Sequence, residues 1–276
     1  MYGLNAMAIA AFFGINILAY NLCKCGKKRR KHIMNVLCIL LLGGNLLRYG
    51  IVYPLILGEI RIPAEFSTVS YFVVPALLLT KRKKGRSWAA YSGLMAGFFY
   101  YLALMVMGGK IYGGEMPYEV YISMFCHGTL YICGMVTIGT LACPAKDAGR
   151  LIFGVSWICL RALILRERVI GAEEMFIYKL LDGEVIRNFF PQMYWSRMLP
   201  VYYIAAVGLV LITMMVFFRS SRRQKQRFDL TRTSRGSLVR VQYGPSPLPK
   251  GRGILMRRNV RKRGENAWES SFQGRK

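Results

Sequence analysis

The stretch Met116–Cys143, MPYEVYISMFCHGTLYICGMVTIGTLAC, decides the fold. It is apolar over more than the roughly 20 residues a helix needs to cross a bilayer, yet it carries an imidazole, His127, near its middle. At 3.6 residues per turn, Glu119, Ser123, His127 and Tyr131 follow one another at steps of four, which predicts one polar stripe on an otherwise lipid-compatible cylinder. A polar or ionisable group at that depth costs about 2.5 kcal/mol or more on insertion scales and tends to face a bundle interior or a wet cavity. The stripe therefore requires other helices to face.

Working outward, the chain supplies them. It has 276 residues, of which 54% are hydrophobic, with a mean hydropathy of +0.31. The apolar residues come in blocks near the length of a bilayer span, the pattern of a polytopic membrane protein. The net charge of +26 would suit a nucleic-acid binder, but the Lys and Arg sit between the apolar blocks and in one tail, so membrane topology accounts for them and no nucleic-acid partner is expected. The first block lacks a charged leader and a small-residue cleavage site, and reads as a retained helix. Seven Cys lie in or beside apolar blocks, none placed for a disulfide.

About seven spans are expected in an all-α bundle: residues 2–22, 33–57, 63–80, 88–107, 117–142, 151–165 and 201–218. Pro63 and Pro117 are each read as helix-opening prolines, since the amide proton that proline lacks would be unpaired there anyway. Basic runs follow the first and third spans, and a long polar excursion, 166–200, precedes the last. With the N-terminus outside and the C-terminus inside, 30 of the 39 Lys and Arg fall on inner segments and 9 of the 13 acids on outer ones. That assignment satisfies the positive-inside rule at every short loop, whereas six spans would put the 17 basic residues of the tail outside. Residues 1–218 thus form the membrane domain. Residues 219–276, basic and rich in Gly, Ser and Pro, are expected to be a disordered inner tail that binds anionic lipid headgroups.

Chemistry concentrates on the outer half. The only other histidine, His32, sits in the first basic loop, and HExxH, paired CxxC and Gly-rich phosphate loops are all absent. Neither a cofactor nor a metal is expected, and Cys23 and Cys25 read as two ordinary thiols. A nucleophile with a general base remains, which needs a hydroxyl near the imidazole. Ser67 is the candidate nucleophile and His127 the base. At about 1.5 Å per residue their depths differ by roughly 9 Å if both helices begin at their prolines, a gap that tilt or an offset start must close. On residue types alone, an intramembrane His beside Ser and Tyr is more often an interhelical hydrogen-bonding group. Arg48, in the second span, either snorkels outward or pairs with a carboxylate.

The segment IPAEFS, Ile62 to Ser67, followed by FCHG, Phe125 to Gly128, resembles the YwaF-like family of multi-pass membrane proteins, which carries a proline-led LPLHLC-type segment and, further on, a His-containing helix. The resemblance covers about residues 1–220 and includes GAEEMF, 171–176, near a GTNYMF-like stretch. A eukaryotic branch of that family, the transmembrane protein 164 type, is a phospholipid acyltransferase with a Cys and a His at these two places. The resemblance implies that His127 stands at the His and Ser67 at the Cys. Glu65 replaces the family's other His, and Glu173 and Glu174 replace an Asn and a Tyr.

Two functions follow as expectations. One is a cell-membrane protein acting on lipid acyl esters, as hydrolase or acyltransferase, through Ser67 and His127 in a pocket with Glu65, Glu119, Ser123, Tyr131 and Arg48. The other is a non-enzymatic carrier or receptor-like bundle in which Glu65, Glu119 and His127 handle protons or a small cation while Arg48 balances their charge.

Overall fold

The computed structural model describes residues 3–80, 85–111, 118–140, 143–168, 178 and 195–242. Every element among them is helical. The elements are α1 (Gly3–Lys24), α2 (Lys27–Leu47) running into a π-helical segment (Arg48–Ile56), α3 (Phe66–Leu79), α4 (Arg86–Ile111), α5 (Tyr118–Thr140), α6 (Ala148–Leu165) and α7 (Trp195–Gln242). Among the described residues, six helical stretches are long and apolar enough to cross a membrane: Gly3–Lys24, Lys27–Ile56, Arg86–Val106, Tyr118–Thr140, Ala145–Leu165 and Pro200–Arg223. The expected third span is a shorter helix, the 14 residues Phe66–Leu79. Its length, about 21 Å at 1.5 Å per residue, falls short of a hydrocarbon core about 30 Å thick.

α3 also begins later than the sequence suggests, because Pro63 does not open it. The Pro63 carbonyl instead accepts a hydrogen bond from Arg161 on α6. Glu65 is the extended residue before the helix, and its carbonyl receives both the Val69 amide (3.0 Å) and the Thr68 hydroxyl (2.9 Å). Pro117 and residues 112–116, the basic residues 81–84, and Glu173, Glu174, Asp182 and Glu184 of the excursion lie outside the described residues, while α4 runs on through Gly108 to Ile111.

The second span ends in a widened turn for a reason visible in its sequence. Pro54 lies inside it and has no amide to give to the carbonyl four residues back, while its ring crowds that carbonyl. The backbone shifts to a five-residue step, Leu57 N to Val52 O at 3.1 Å, the widened turn that often marks functional sites. Gly58 then turns the chain with φ +68, a conformation open to glycine at no steric cost.

α5 is the centre of the bundle, its interior half lined by fourteen buried residues. Its closest partner is α4, through glycines where backbones touch. A Cβ on Gly93 would lie 2.6 Å from the Leu130 carbonyl oxygen, one on Gly97 2.7 Å from that of His127, and one on Gly134 2.6 Å from the Leu94 amide nitrogen. Gly93 and Gly97 form a GxxxG, the small-residue spacing that lets membrane helices approach closely where no hydrophobic drive joins them. α2 and α5 meet in an antiparallel register seven residues deep, Cys38 against Cys133 and Asn45 against Cys126. At the Lys- and Arg-rich end, Ser87 donates to Asp147 (2.6 Å), which also receives Arg150, and the Cys143 amide donates to Ser221 (2.8 Å).

The chain divides into two compact units, Met1–Asp229 and Leu230–Lys276. The bundle belongs to the first. α7 stays helical to Gln242, past the 218/219 boundary expected from hydropathy. From Arg219 to Gln242 there is one glycine and no proline, so loss of apolar periodicity ends the span without ending the helix. In the second unit the described residues, 230–242, are the last turns of that helix.

Candidate functional site

Three elements bring polar groups together at the end of the bundle opposite the basic runs. From α5 come Glu119, Ser123 and His127, from α3 Tyr71, and from the π-helical segment and the loop after it Arg48, Tyr53, Glu59 and Arg61.

His127 is 5% exposed. Its Nδ1 lies 2.8 Å from the Ser123 backbone oxygen and 3.3 Å from the Ser123 hydroxyl. The Tyr71 hydroxyl is 2.9 Å from Nδ1 and 3.2 Å from Nε2. A carbonyl oxygen can only accept, so Nδ1 carries the proton and donates to Ser123, which leaves the lone pair of Nε2 to accept from Tyr71. The ring is clamped further by Tyr100, stacked on it at 3.7 Å and 5°, while Tyr71 approaches edge-on at 83°. Both imidazole nitrogens are thus engaged, and the face toward α4 is covered.

Above this floor sits a charged mouth. Glu119 lies 4.0 Å from Arg48 and 3.8 Å from Arg61, and Arg61 donates to Glu59 at 2.7 Å. Both guanidiniums lie against the Tyr53 ring, at 5.0 and 4.6 Å from its centre, where the negative face of the ring favours cations. Tyr53 is held edge-on by Tyr49, which packs likewise on Phe72 of α3. Partial burial works against the charge of Arg61. The hydrogen bond that Arg61 donates to Glu59, with Tyr53 and Glu119 nearby, outweighs it and raises the pKa above the ordinary arginine value.

The placement of the residues singled out in the sequence is mixed. Glu119, Ser123 and His127 do line one file, and Arg48 pairs with a carboxylate. Tyr131 does not belong to the file: its hydroxyl donates to Asn16 of α1 at 3.0 Å. Each step of four residues advances about 40° around a helix, so by the third step the stripe has turned toward a different neighbour. Ser67 is half-buried on α3, and the hydrogen-bond partners of His127 among the described residues are Tyr71 and Ser123. Tyr71 lies one turn along the same face of α3 from Ser67, so the depth difference inferred from the prolines is met by a different residue. Glu65 precedes α3 at the mouth.

Tyr71, Tyr100, Tyr53 and Arg61 were not singled out from the sequence. Tyr71 had a signal, four residues after Ser67 in an apolar run. Asn45, the other polar group in the outer half of the second span, is 2% exposed and donates to Leu41 O (2.8 Å) and to Cys126 Sγ (3.6 Å), while its own oxygen has no hydrogen-bond partner among the described residues.

Fold and site together define a class, a polytopic helical membrane protein with a buried polar file. Comparison with family models, with curated proteins and with solved structures finds no match.

Proposed function

We propose that this is a seven-span protein of the cell membrane, N-terminus outside, that binds a proton or a small cation from the outer face without catalysing a reaction. α3 is the seventh and shortest span. The charge distribution supports this orientation, since it gathers the basic runs at one end and Glu59, Glu65 and Glu119 at the other.

The observation that carries the reading is the continuous file Glu119, Ser123, His127, Tyr71 beneath the Arg48 and Arg61 guanidiniums. At the mouth the Glu59 and Glu119 carboxylates face the Arg48 and Arg61 guanidiniums beside the Tyr53 ring, and a proton or cation entering the file from outside would meet Glu119 first. The file stops at His127, because Tyr131 turns to α1, and this favours binding over conduction. Membrane lipids surround the bundle, and the basic tail adds anionic headgroups as partners.

Acyl-ester chemistry is the second reading, favoured by Ser67 sharing a face of α3 with Tyr71 and by the YwaF-like order of segments. The two are separated by experiment. A ligand that binds only the folded state raises the unfolding midpoint with its concentration. In purified full-length protein, the midpoint should rise with one small cation or shift with pH. Glu119→Gln and His127→Gln should lose that response, and Ser67→Ala should keep it. No response in the parent protein, or an equal response in both variants, overturns the proposal. Fluorophosphonate labelling of Ser67 would turn it toward the acyl-ester reading.

A further inference from the structure

Between α2 and α5, away from the polar file, Cys38 and Cys133 place their sulfurs 3.9 Å apart. The two residues are 1% and 0% exposed. From this pair we infer that the protein holds one soft monovalent metal ion, copper(I) being the physiological choice, between Cys38 and Cys133.

The spacing is too long for a disulfide, whose sulfurs are about 2.05 Å apart. It lies within the reach of a single ion making two metal–sulfur bonds of about 2.3 Å each. Zinc is excluded by ligand count. A structural zinc takes four N, S or O ligands, and among the described residues no group of three or more His, Cys, Asp or Glu could hold a metal. Two sulfurs with no hard ligand beside them suit a soft ion that accepts two-coordination. Binding releases both thiol protons, Cu(I) plus two thiols giving one bis-thiolate–Cu(I) unit and two H⁺, so the site carries one negative charge, half that of two bare thiolates.

Met34 packs both against the cluster holding Cys38 and Cys133 and against a neighbouring one that also takes in Cys23 and Met135, so further thiol and thioether side chains belong to the packing between the pair and the basic end of α1.

The test is direct binding to the purified full-length protein in lipid nanodiscs under reducing conditions, with Cu(I) offered from a chromogenic chelator and Ag(I) as a redox-inert probe. The expected result is one ion taken from the chelator, with a thiolate-to-copper absorption band. Cys38→Ser and Cys133→Ser should each abolish uptake, and Cys159→Ser should leave it unchanged. Should the first two variants fail to fold, the parent protein still decides: when Ag(I)-loaded protein is unfolded into alkylating reagent, Cys38 and Cys133 should be the protected thiols. No uptake by the parent, uptake that survives both substitutions, protection of other cysteines instead, or an existing Cys38–Cys133 disulfide seen as a mass two hydrogens lighter would each overturn the inference.

Discussion

The Tyr71 hydroxyl reaches the imidazole edge of His127, 2.9 Å from one nitrogen and 3.2 Å from the other, so the buried histidine of α5 is fixed by α3 as well as by its own helix. Tyr71→Phe removes the donor and leaves Nε2 a buried acceptor without a partner. Interhelical hydrogen bonds in membranes average about 0.6 kcal/mol by double-mutant cycle and reach about 1.7, and orphaning a buried group costs about 1–3 kcal/mol. Tyr71→Phe should therefore destabilise by about 1 kcal/mol or somewhat more. A double-mutant cycle with His127→Phe should show coupling, and additive losses would mean the two side chains do not interact in the folded protein.

Much of this was legible in the sequence, and what was not has physical reasons. Apolar block length and the placement of Lys and Arg give the helices and the class directly, because a bilayer leaves a spanning segment few alternatives. The polar stripe on α5 was legible as far as His127 and not beyond, since periodicity says which residues share a face but not which neighbour that face meets. Ser67 and Tyr71 lie one turn apart on α3, and choosing between them needs the helix start, which the loop after Gly58 moves from Pro63 to Phe66. The close approach of α4 to α5 was readable as GLMAG, Gly93–Gly97, the small-residue spacing that lets two helix backbones touch.

That approach makes a prediction about glycines. Gly97→Ala would put a Cβ 2.7 Å from a backbone oxygen and 2.5 Å from the Tyr131 Cβ, so α4 and α5 must separate. A loss of about 2 kcal/mol or more is expected, in the range of overpacked cores. Gly43→Ala, where nothing lies within 4 Å, should be neutral or stabilise by up to about 1 kcal/mol, as Ala outranks Gly within a helix. Reversible unfolding in detergent measures both, and equal effects at the two sites would contradict the packing.

The orientation can be checked without function. Reporter fusions after Arg86 and after Gly113 should give opposite signals, inside and outside, because α4 lies between them. The same compartment at both positions would rule out α4 as a span and with it the seven-span topology. A chain ending near Arg223 should still insert, since the 17 basic residues beyond Phe218 add no apolar span.

Asp147 ties the basic end together, taking the Ser87 hydroxyl from α4 and Arg150 from α6. Asp147→Ala strands the buried Ser87 hydroxyl and should cost about 1–3 kcal/mol. Asp147→Asn, which keeps an acceptor, should cost less. The difference, read from unfolding midpoints of the two variants, should vanish in a Ser87→Ala background. Its persistence there would assign the stabilisation to Arg150 instead.

Asn45 gives the sharpest separation of stability from function. Its side chain is buried, its NH2 is engaged, and its oxygen has no hydrogen-bond partner among the described residues. An unpaired buried carbonyl is a standing cost of about 1–3 kcal/mol, and a protein keeps such a group when something else uses it. Asn45 lies one turn before Arg48, and its NH2 contacts Cys126, the residue before His127 on α5, so it joins the two elements that carry the polar file. Asn45→Leu, close in volume and free of polar atoms, should raise the unfolding midpoint in the absence of added cation while abolishing the cation- or pH-dependent rise described for the parent protein. Asn45→Asp, which keeps an oxygen there, should retain a response. A midpoint that falls in Asn45→Leu would mean the oxygen is satisfied by an ordered water that belongs to the resting fold. A response that survives in Asn45→Leu would place the ligand above the residue, among Glu119, Arg48 and Arg61 alone.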